Sequence, residues 1–264
     1  ENAKPRIGKW RQEGTDSICE ISFQKDGEYH FQFSCKDKAG NLSKTIDGGS
    51  FAIDTTKPEI SVTFDNNNVK NENYYNASRT ATITIIEKAF SEQLVQIEAL
   101  DTLEVDKLPS VSKWKTNGEC HTATINFTKE GVYGFQIACK DLAGNTAKDY
   151  VSTFFVIDKT APQITFDGVR ANSANNGVVM PVVNYRDSYL DETATIVTLT
   201  GTNHSDQTTR VQKNVTADGI QLVYPDFAHV KEMDDVYTLR VKAVDLAGNE
   251  KEEEPYLEMK GIRI

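Results

Sequence analysis

The chain has 264 residues, 38% of them apolar, enough to bury a core, and its length suggests two or three units of ordinary domain size. Lys and Arg number 29 against 39 Asp and Glu, a formal net charge of -10, which excludes the cationic footprint on which nucleic-acid binding depends. No run approaches eighteen uninterrupted apolar residues, so no membrane span is expected in this stretch, and the opening ENAKPRIGKW lacks the apolar core of a signal peptide.

In chain order, the first landmark is Trp10, followed by a segment ending at Tyr29-His-Phe-Gln-Phe-Ser-Cys-Lys-Asp-Lys-Ala-Gly-Asn41. That segment recurs without a gap 104 residues later as Tyr133 to Asn145, and again 104 residues on as Tyr237 to Asn249. The same step carries Ile53-Asp-Thr-Thr-Lys-Pro58 onto Ile157-Asp-Lys-Thr-Ala-Pro162, and Trp10 onto Trp114. A period of this length indicates duplication of whole domains, being too long for one solenoid repeat. Pro58 and Pro162, each with φ fixed and no ladder donor, suit the entry to an edge strand and a short, stiff joint. The expected units are 1–54, 55–158 and 159–264. The first matches only the second half of the others, and half a sandwich would expose an apolar face and open edges. Its missing strands belong either to a segment outside this sequence or to another copy.

In the second unit, Ile60 to Phe64, Thr80 to Ile86, Leu94 to Leu100, Ala123 to Phe127, Tyr133 to Cys139 and Thr153 to Ile157 are β-branched or alternate with period two. Lys88 to Glu92 predicts a helical turn between strands, and Asp187 to Asp191 takes its place in the third unit. Six or seven strands in about 100 residues predict an all-β chain of tandem immunoglobulin-like β-sandwich modules.

The turn motif Asp-X-Ala-Gly-Asn supplies three sets of residues: Asp37, Gly40 and Asn41; Asp141, Gly144 and Asn145; Asp245, Gly248 and Asn249. Glycine there is free to take φ > 0 while Asp and Asn bond local amides, so a structural turn is expected. A calcium loop is the sharper alternative, but each motif offers one carboxylate and one amide, and no metal site is assigned. Trp10 and Trp114 are expected as plugs over the core rather than exposed platforms.

Hairpins around Lys25-Asp26-Gly27 and Lys129-Glu130-Gly131 would bring Cys19 near Phe33 or Cys35, and Cys120 near Cys139. Two disulfides are therefore expected, each worth about 3 kcal/mol by chain entropy and implying an oxidising compartment; the alternative is four buried free thiols. No CxxC spacing supports zinc. The four histidines, His30, His121, His204 and His229, form no triad signature, and GxGxxG, phosphate-loop and HExxH motifs are absent. No enzyme, catalytic residue or cofactor is expected.

The combination Tyr-X-Phe-X5-Asp-X-Ala-Gly-Asn, then Phe51 or Phe155 and Ile-Asp-X-Thr-X-Pro, resembles the tandem bacterial Ig-like repeats of Gram-positive cell-surface proteins. Arg79 to Phe90 and Trp114 to Gly118 are similar to that family's second strand and mid-module tryptophan turn. The third unit departs from the pattern, with Met180 to Tyr185 in place of a threonine-rich strand and Glu250 to Pro255 interrupting the approach to the last strand. The resemblance implies a secreted, wall-associated parent in which such repeats form a spacer supporting adhesion, with neighbouring modules as partners. The alternatives are a glycan- or host-protein-binding array, sought first in Asn172 to Asn176 and Asn203 to Gln207, and an accessory module of a secreted carbohydrate-active enzyme.

Overall fold

A computed structural model describes residues 4–100, 107–170, 173–175, 178–203, 206–208, 211–217, 219–224, 235–254 and 256–259. His204 and His229, and parts of both loops singled out above, lie outside the described residues. Among those described, the chain is almost entirely strand, in small sheets none of which closes as a barrel.

Alternation fixes which face of each strand is dry. Arg79–Ile86 buries Ala81, Ile83 and Ile85 while its threonines face outward, and it runs antiparallel between Glu59–Phe64 and Cys120–Phe127. Lys115–Asn117 completes this four-stranded sheet. Facing it are Val95–Ala99, Phe135–Cys139 and Tyr150–Val151, and a second small sheet of Gly131–Tyr133, Phe155–Ile157 and Tyr74–Tyr75. Between the layers lies one cluster, including Ile83, Ile125, Phe127, Phe135, Ile137 and Phe155. The expected strand from Tyr133 to Cys139 is divided at Gly134, where a Cβ would stand 2.8 Å from the Phe154 ring. The helical turn is a single 3-10 turn, Glu92–Leu94, which begins at the last residue of the expected segment.

A second, separate cluster is built from Val183, Tyr185, Ile220 and Leu222 on one sheet and Leu199, Tyr237, Leu239, Val241 and Ala243 on the other. Val182–Arg186 sits between Gln163–Asp167 and Gly219–Val223 as Arg79–Ile86 sits in its own sheet, despite its different composition. Glu250–Glu253 pairs with Asp235–Val244 rather than breaking the edge. Its acids find cations there: Arg240 lies 3.0 Å from Glu252 and Lys242 lies 2.9 Å from Glu250.

The described residues of the first 54 form three two-stranded sheets. The largest pairs Gly27–Phe33 with Ile46–Ile53 and shifts register between His30 and Gln32.

The hairpin behind the expected cysteine pairing is corrected by this topology. Cys120–Phe127 pairs with Arg79–Ile86, whereas Phe135–Cys139 pairs with Val95–Ala99 in the opposite layer. Residues 128–130 cross between layers instead of folding one strand back on the other. His121, Ala123, Ile125 and Phe127 point inward, so Cys120 points out of the sandwich, while Cys139 points in. A disulfide needs Cβ atoms about 4 Å apart, and two strands in opposite layers, one thiol turned out of the sandwich and the other into it, do not provide that. All four thiols, Cys19, Cys35, Cys120 and Cys139, are free.

Candidate functional site

Each Asp-X-Ala-Gly-Asn motif makes the same turn for the same reason. Gly40, Gly144 and Gly248 take φ of 95°, 93° and 79°, open to glycine and strained for other residues. The Asp carboxylate then accepts two bonds from the Asn. In the second motif the Asn145 amide donates to Asp141 Oδ1 at 2.8 Å and Nδ2 donates to Oδ2 at 2.7 Å. Asp245 with Asn249 repeats this at 2.8 and 2.7 Å, and Asp37 with Asn41 at 2.8 Å for both. The two oxygens hold both ends of the asparagine, which fixes where its second Nδ2 hydrogen points.

That hydrogen reaches across the repeat boundary. Asn145 Nδ2 donates to the Asp54 carbonyl and Asn249 Nδ2 to the Asp158 carbonyl, both at 3.0 Å. Asp54 and Asp158 are the acids of the two Ile-Asp-X-Thr-X-Pro segments. A second brace comes from the preceding β-turn. Asp26 Oδ1 accepts from the Thr55 amide at 3.1 Å, and Glu130 Oε1 from the Lys159 amide at 2.7 Å. Lys88 Nζ to Glu28 at 3.3 Å crosses the first boundary, and Tyr74 meets Tyr189 edge-on at 5.3 Å across the second.

Three carboxylates converge at each boundary: Asp54, Glu87 and Asp141 at the first, Asp158, Asp187 and Asp245 at the second, with one oxygen from each lying within 4.8 Å of the others. Glu87 and Asp187 are placed by the turn after the inner strand. Glu87 Oε1 accepts from the Ala89 amide, and Asp187 Oδ1 from the Tyr189 amide, both at 2.7 Å. An oxygen-only set of this kind has the donor chemistry that hard divalent cations take. Asp54 and Glu87 of the first trio line a cleft of 760 Å³ together with Asp26, Glu28, Lys57 and Lys88. Burial pushes the Asp158 carboxyl up to about 6, with the charges of Asp245, Asp187 and Glu130 adding to the rise against the bond from the Thr160 amide. Burial likewise raises Asp187, with Asp245 and Glu130 contributing.

Reading one carboxylate per motif missed this convergence, because Asp54 and Glu87 lie far from Asp141 along the chain. The exact recurrence of Asp54 at Asp158 was a usable signal. Glu87 and Asp187 stand 100 residues apart, out of step with the repeat, and gave none.

The remaining candidates are occupied structurally. His121 is buried, stacks on Phe90 at 4.0 Å, and donates from Nε2 to the Glu87 carbonyl at 2.8 Å, with Nδ1 in hydrogen-bond contact with Thr116 Oγ1 at 3.0 Å. His30 is exposed beside Ser50 and Asp47. Trp114 packs on the edge of the second unit's cluster, 5.2 Å from Phe90. Trp10 does not cover a core in this structure: it stands exposed, 6.3 Å from Phe33.

The thiols differ sharply in exposure. Cys35 is exposed, whereas Cys139 is buried and its thiol is pushed up to about 11, by burial first and by the Glu87 and Asp141 charges second. At pH 8 only roughly one Cys139 in a thousand is thiolate, the nucleophilic form. Iodoacetamide is expected to alkylate native Cys35 at least about 100-fold faster than Cys139, read by peptide mass mapping. After denaturation without reductant all four should react; two unreactive cysteines in one unit would contradict the free-thiol structure.

A family model described as bacterial Ig-like domain (group 3) matches residues 121–259, and a second, described as bacterial Ig-like domain, matches residues 22–55. No curated protein matches. A solved structure described as PcdhgB3 EC1-4 is 11% identical, covering 98% of this chain and 72% of that one, at a TM-score of 0.32, too low to bear on the fold or the site. The motif turns, the sandwiched sheets and a match across more than half its residues lead to one assignment: the chain belongs to the bacterial Ig-like domain (group 3) family, a non-enzymatic β-sandwich module.

Proposed function

We propose that residues 1–54, 55–158 and 159–264 are successive units of a spacer in a large bacterial surface protein, displayed outside the cell and supporting adhesion. The observation that carries this reading is the repeated clamp at the boundaries, Asn145 to the Asp54 carbonyl and Asn249 to the Asp158 carbonyl. A device reproduced at both boundaries restricts motion between units, which a spacer needs and an isolated binding module does not. The family's usual setting supports an extracellular location.

The distribution of exposed aromatics also favours spacing over carbohydrate binding. Among the described residues of 55–264 no Phe, Tyr or Trp is exposed; the exposed rings, Trp10, Phe31, Phe33 and Phe51, all belong to the first 54. Among the described residues, then, residues 55–264 present no exposed ring on which a sugar could stack.

Replacing both Asn145 and Asn249 by alanine tests the clamp. Each loses a bond across its boundary and one within its turn, at about 1 kcal/mol apiece. Small-angle scattering of the wild type is expected to fit one narrow distribution of maximum dimension, broadened in the double variant while circular dichroism keeps its strand signature. A wild type as broadly distributed as the variant would sink the spacer reading.

A further inference from the structure

Arg79 is the only Lys or Arg side chain buried among the described residues, 6% exposed, and no carboxylate pairs with it there. Its Nε donates to the Asn66 carbonyl at 2.8 Å and its Nη2 to Asn67 Oδ1 at 3.3 Å, and both acceptors are neutral. Phe64, Tyr75 and Phe155 surround the guanidinium at 4.0, 3.9 and 4.7 Å. Asp65 is near enough for its charge to be felt, but its Oδ1 accepts from the Thr80 amide at 2.6 Å. Rings and neutral oxygens offset part of the cost of burying an ion, and a carboxylate would offset more.

The sandwich does not require this arginine. Gln163 pairs with Arg186 as Glu59 pairs with Ile86, so Val179 in the third unit stands where Arg79 does in the second, each seven residues before its partner of that pair. By the same register Gly168, next to Asp167, stands where Phe64 does. The third unit closes that corner with Val179, 4% exposed and part of its apolar cluster. The guanidinium and its ring cage therefore belong to the second unit and not to the third, and packing alone does not account for them.

Arg79 lines a groove of 700 Å³ together with Tyr75, the half-buried Phe154 and the exposed Glu72. Glu72 is the one described residue other than glycine with a left-handed backbone, φ 45°, a costly conformation that gathers at ligand-binding sites. The groove thus presents one cation and one anion. Its amides are engaged already: Asn67 Nδ2 donates to the Phe64 carbonyl and Asn73 Nδ2 to the Phe154 carbonyl, both at 3.1 Å. That leaves little to bond the hydroxyls of a sugar, whereas aliphatic stems ending in charges suit ring walls between two opposite charges. We infer that the groove binds an extended segment of a partner protein that carries an acidic residue and, two positions away, a basic one. That spacing puts both side chains on one side of the segment. The carboxylate pairs with the Arg79 guanidinium, the basic group with the Glu72 carboxylate, and their methylene stems lie against Tyr75 and Phe154. A segment neutral over this pair also avoids the repulsion that a chain of net charge -10 exerts on a purely acidic one.

The test titrates the full 264-residue chain, labelled with nitrogen-15, with the tripeptide glutamyl-leucyl-lysine blocked at both ends. The Arg79 Nε–H resonance, held by the Asn66 carbonyl and shifted by the surrounding rings, is expected to move with a Kd of about 1 mM or tighter. Replacing glutamate by glutamine in the tripeptide removes the charge and keeps the shape, and should weaken binding at least tenfold. Glu72→Gln, at an exposed position, should weaken the original tripeptide at least threefold. Arg79→Lys keeps the charge but loses the planar fork, and should weaken it at least tenfold; if that variant does not fold, the glutamine tripeptide on the wild type decides. No movement of the Arg79 resonance at about 10 mM would overturn the inference. So would equal binding of the glutamine tripeptide. Glucuronate binding as tightly as the tripeptide would mark the groove as a site for carboxylated sugars and overturn the inference too.

Discussion

Phe155→Ala is expected to destabilise the second unit by about 3–5 kcal/mol, the cost of emptying a large, fully enclosed aromatic site. The ring sits at the centre of a cage: Phe127 meets it edge-on at 5.0 Å, Phe64 at 5.7 Å, and Tyr133 lies 5.7 Å away. Its loss also strips the buried Arg79 guanidinium of one of the three rings over which it lies. Urea unfolding followed by Trp114 fluorescence, in a Trp10→Phe background, reports this unit, because the third contains no tryptophan. The third unit has its own buried cluster, so its transition should stay within about 0.5 kcal/mol of the wild type. Phe51→Ala, the same position one repeat earlier, should cost less than about 1 kcal/mol in this chain, because the ring it removes is already partly in water. Equal losses at Phe155 and Phe51 would contradict the difference in enclosure.

That contrast marks what was legible in the sequence and what was not. The alternation of Ala81, Ile83 and Ile85 with threonines, and of Phe135 and Ile137 with polar neighbours, is a local signal, and a sheet with one wet face follows from it. The repeat placed Phe51 and Phe155 in one role. Because the first unit matches only the second half of the others, it also pointed to Phe51 as the one left open, while the strands that cover Phe155 had to be read from segments distant in the chain. The cysteines failed for a related reason. A tight turn at Lys129-Glu130-Gly131 suits a hairpin, but the Ig-like topology uses that turn to pass from one layer to the other, which reverses the neighbour relations of Cys120 and Cys139. The turn motif's role was readable because its bonds are local, from Asp141 to Asn145, four residues apart. Its second role, holding the Asp54 carbonyl 91 residues away, required the folded chain.

The second boundary should respond to pH in the sense opposite to an ordinary aspartate pair. Asp158 has its folded-state pKa raised to about 6 from an ordinary 3.8, so between those values the folded chain binds more protons than the unfolded one. Stability from this group is therefore complete below about pH 4 and lost as pH rises through 6. The full shift corresponds to about 3 kcal/mol, and the solvent that reaches the boundary reduces the measurable part to about 2 kcal/mol. Asp158→Asn keeps an oxygen to accept the Thr160 amide at 3.0 Å and removes a charge that faces Asp187 and Asp245. In buffer containing a chelator, so that no divalent cation neutralises the same charges, the variant should be more stable than the wild type by about 2 kcal/mol at pH 7.5 and equal to it at pH 4. Chemical denaturation across that range reads the difference directly. A variant less stable than the wild type at neutral pH would mean that the Asp158 charge is already compensated, and that the carboxylates at this boundary attract a partner more strongly than they repel one another.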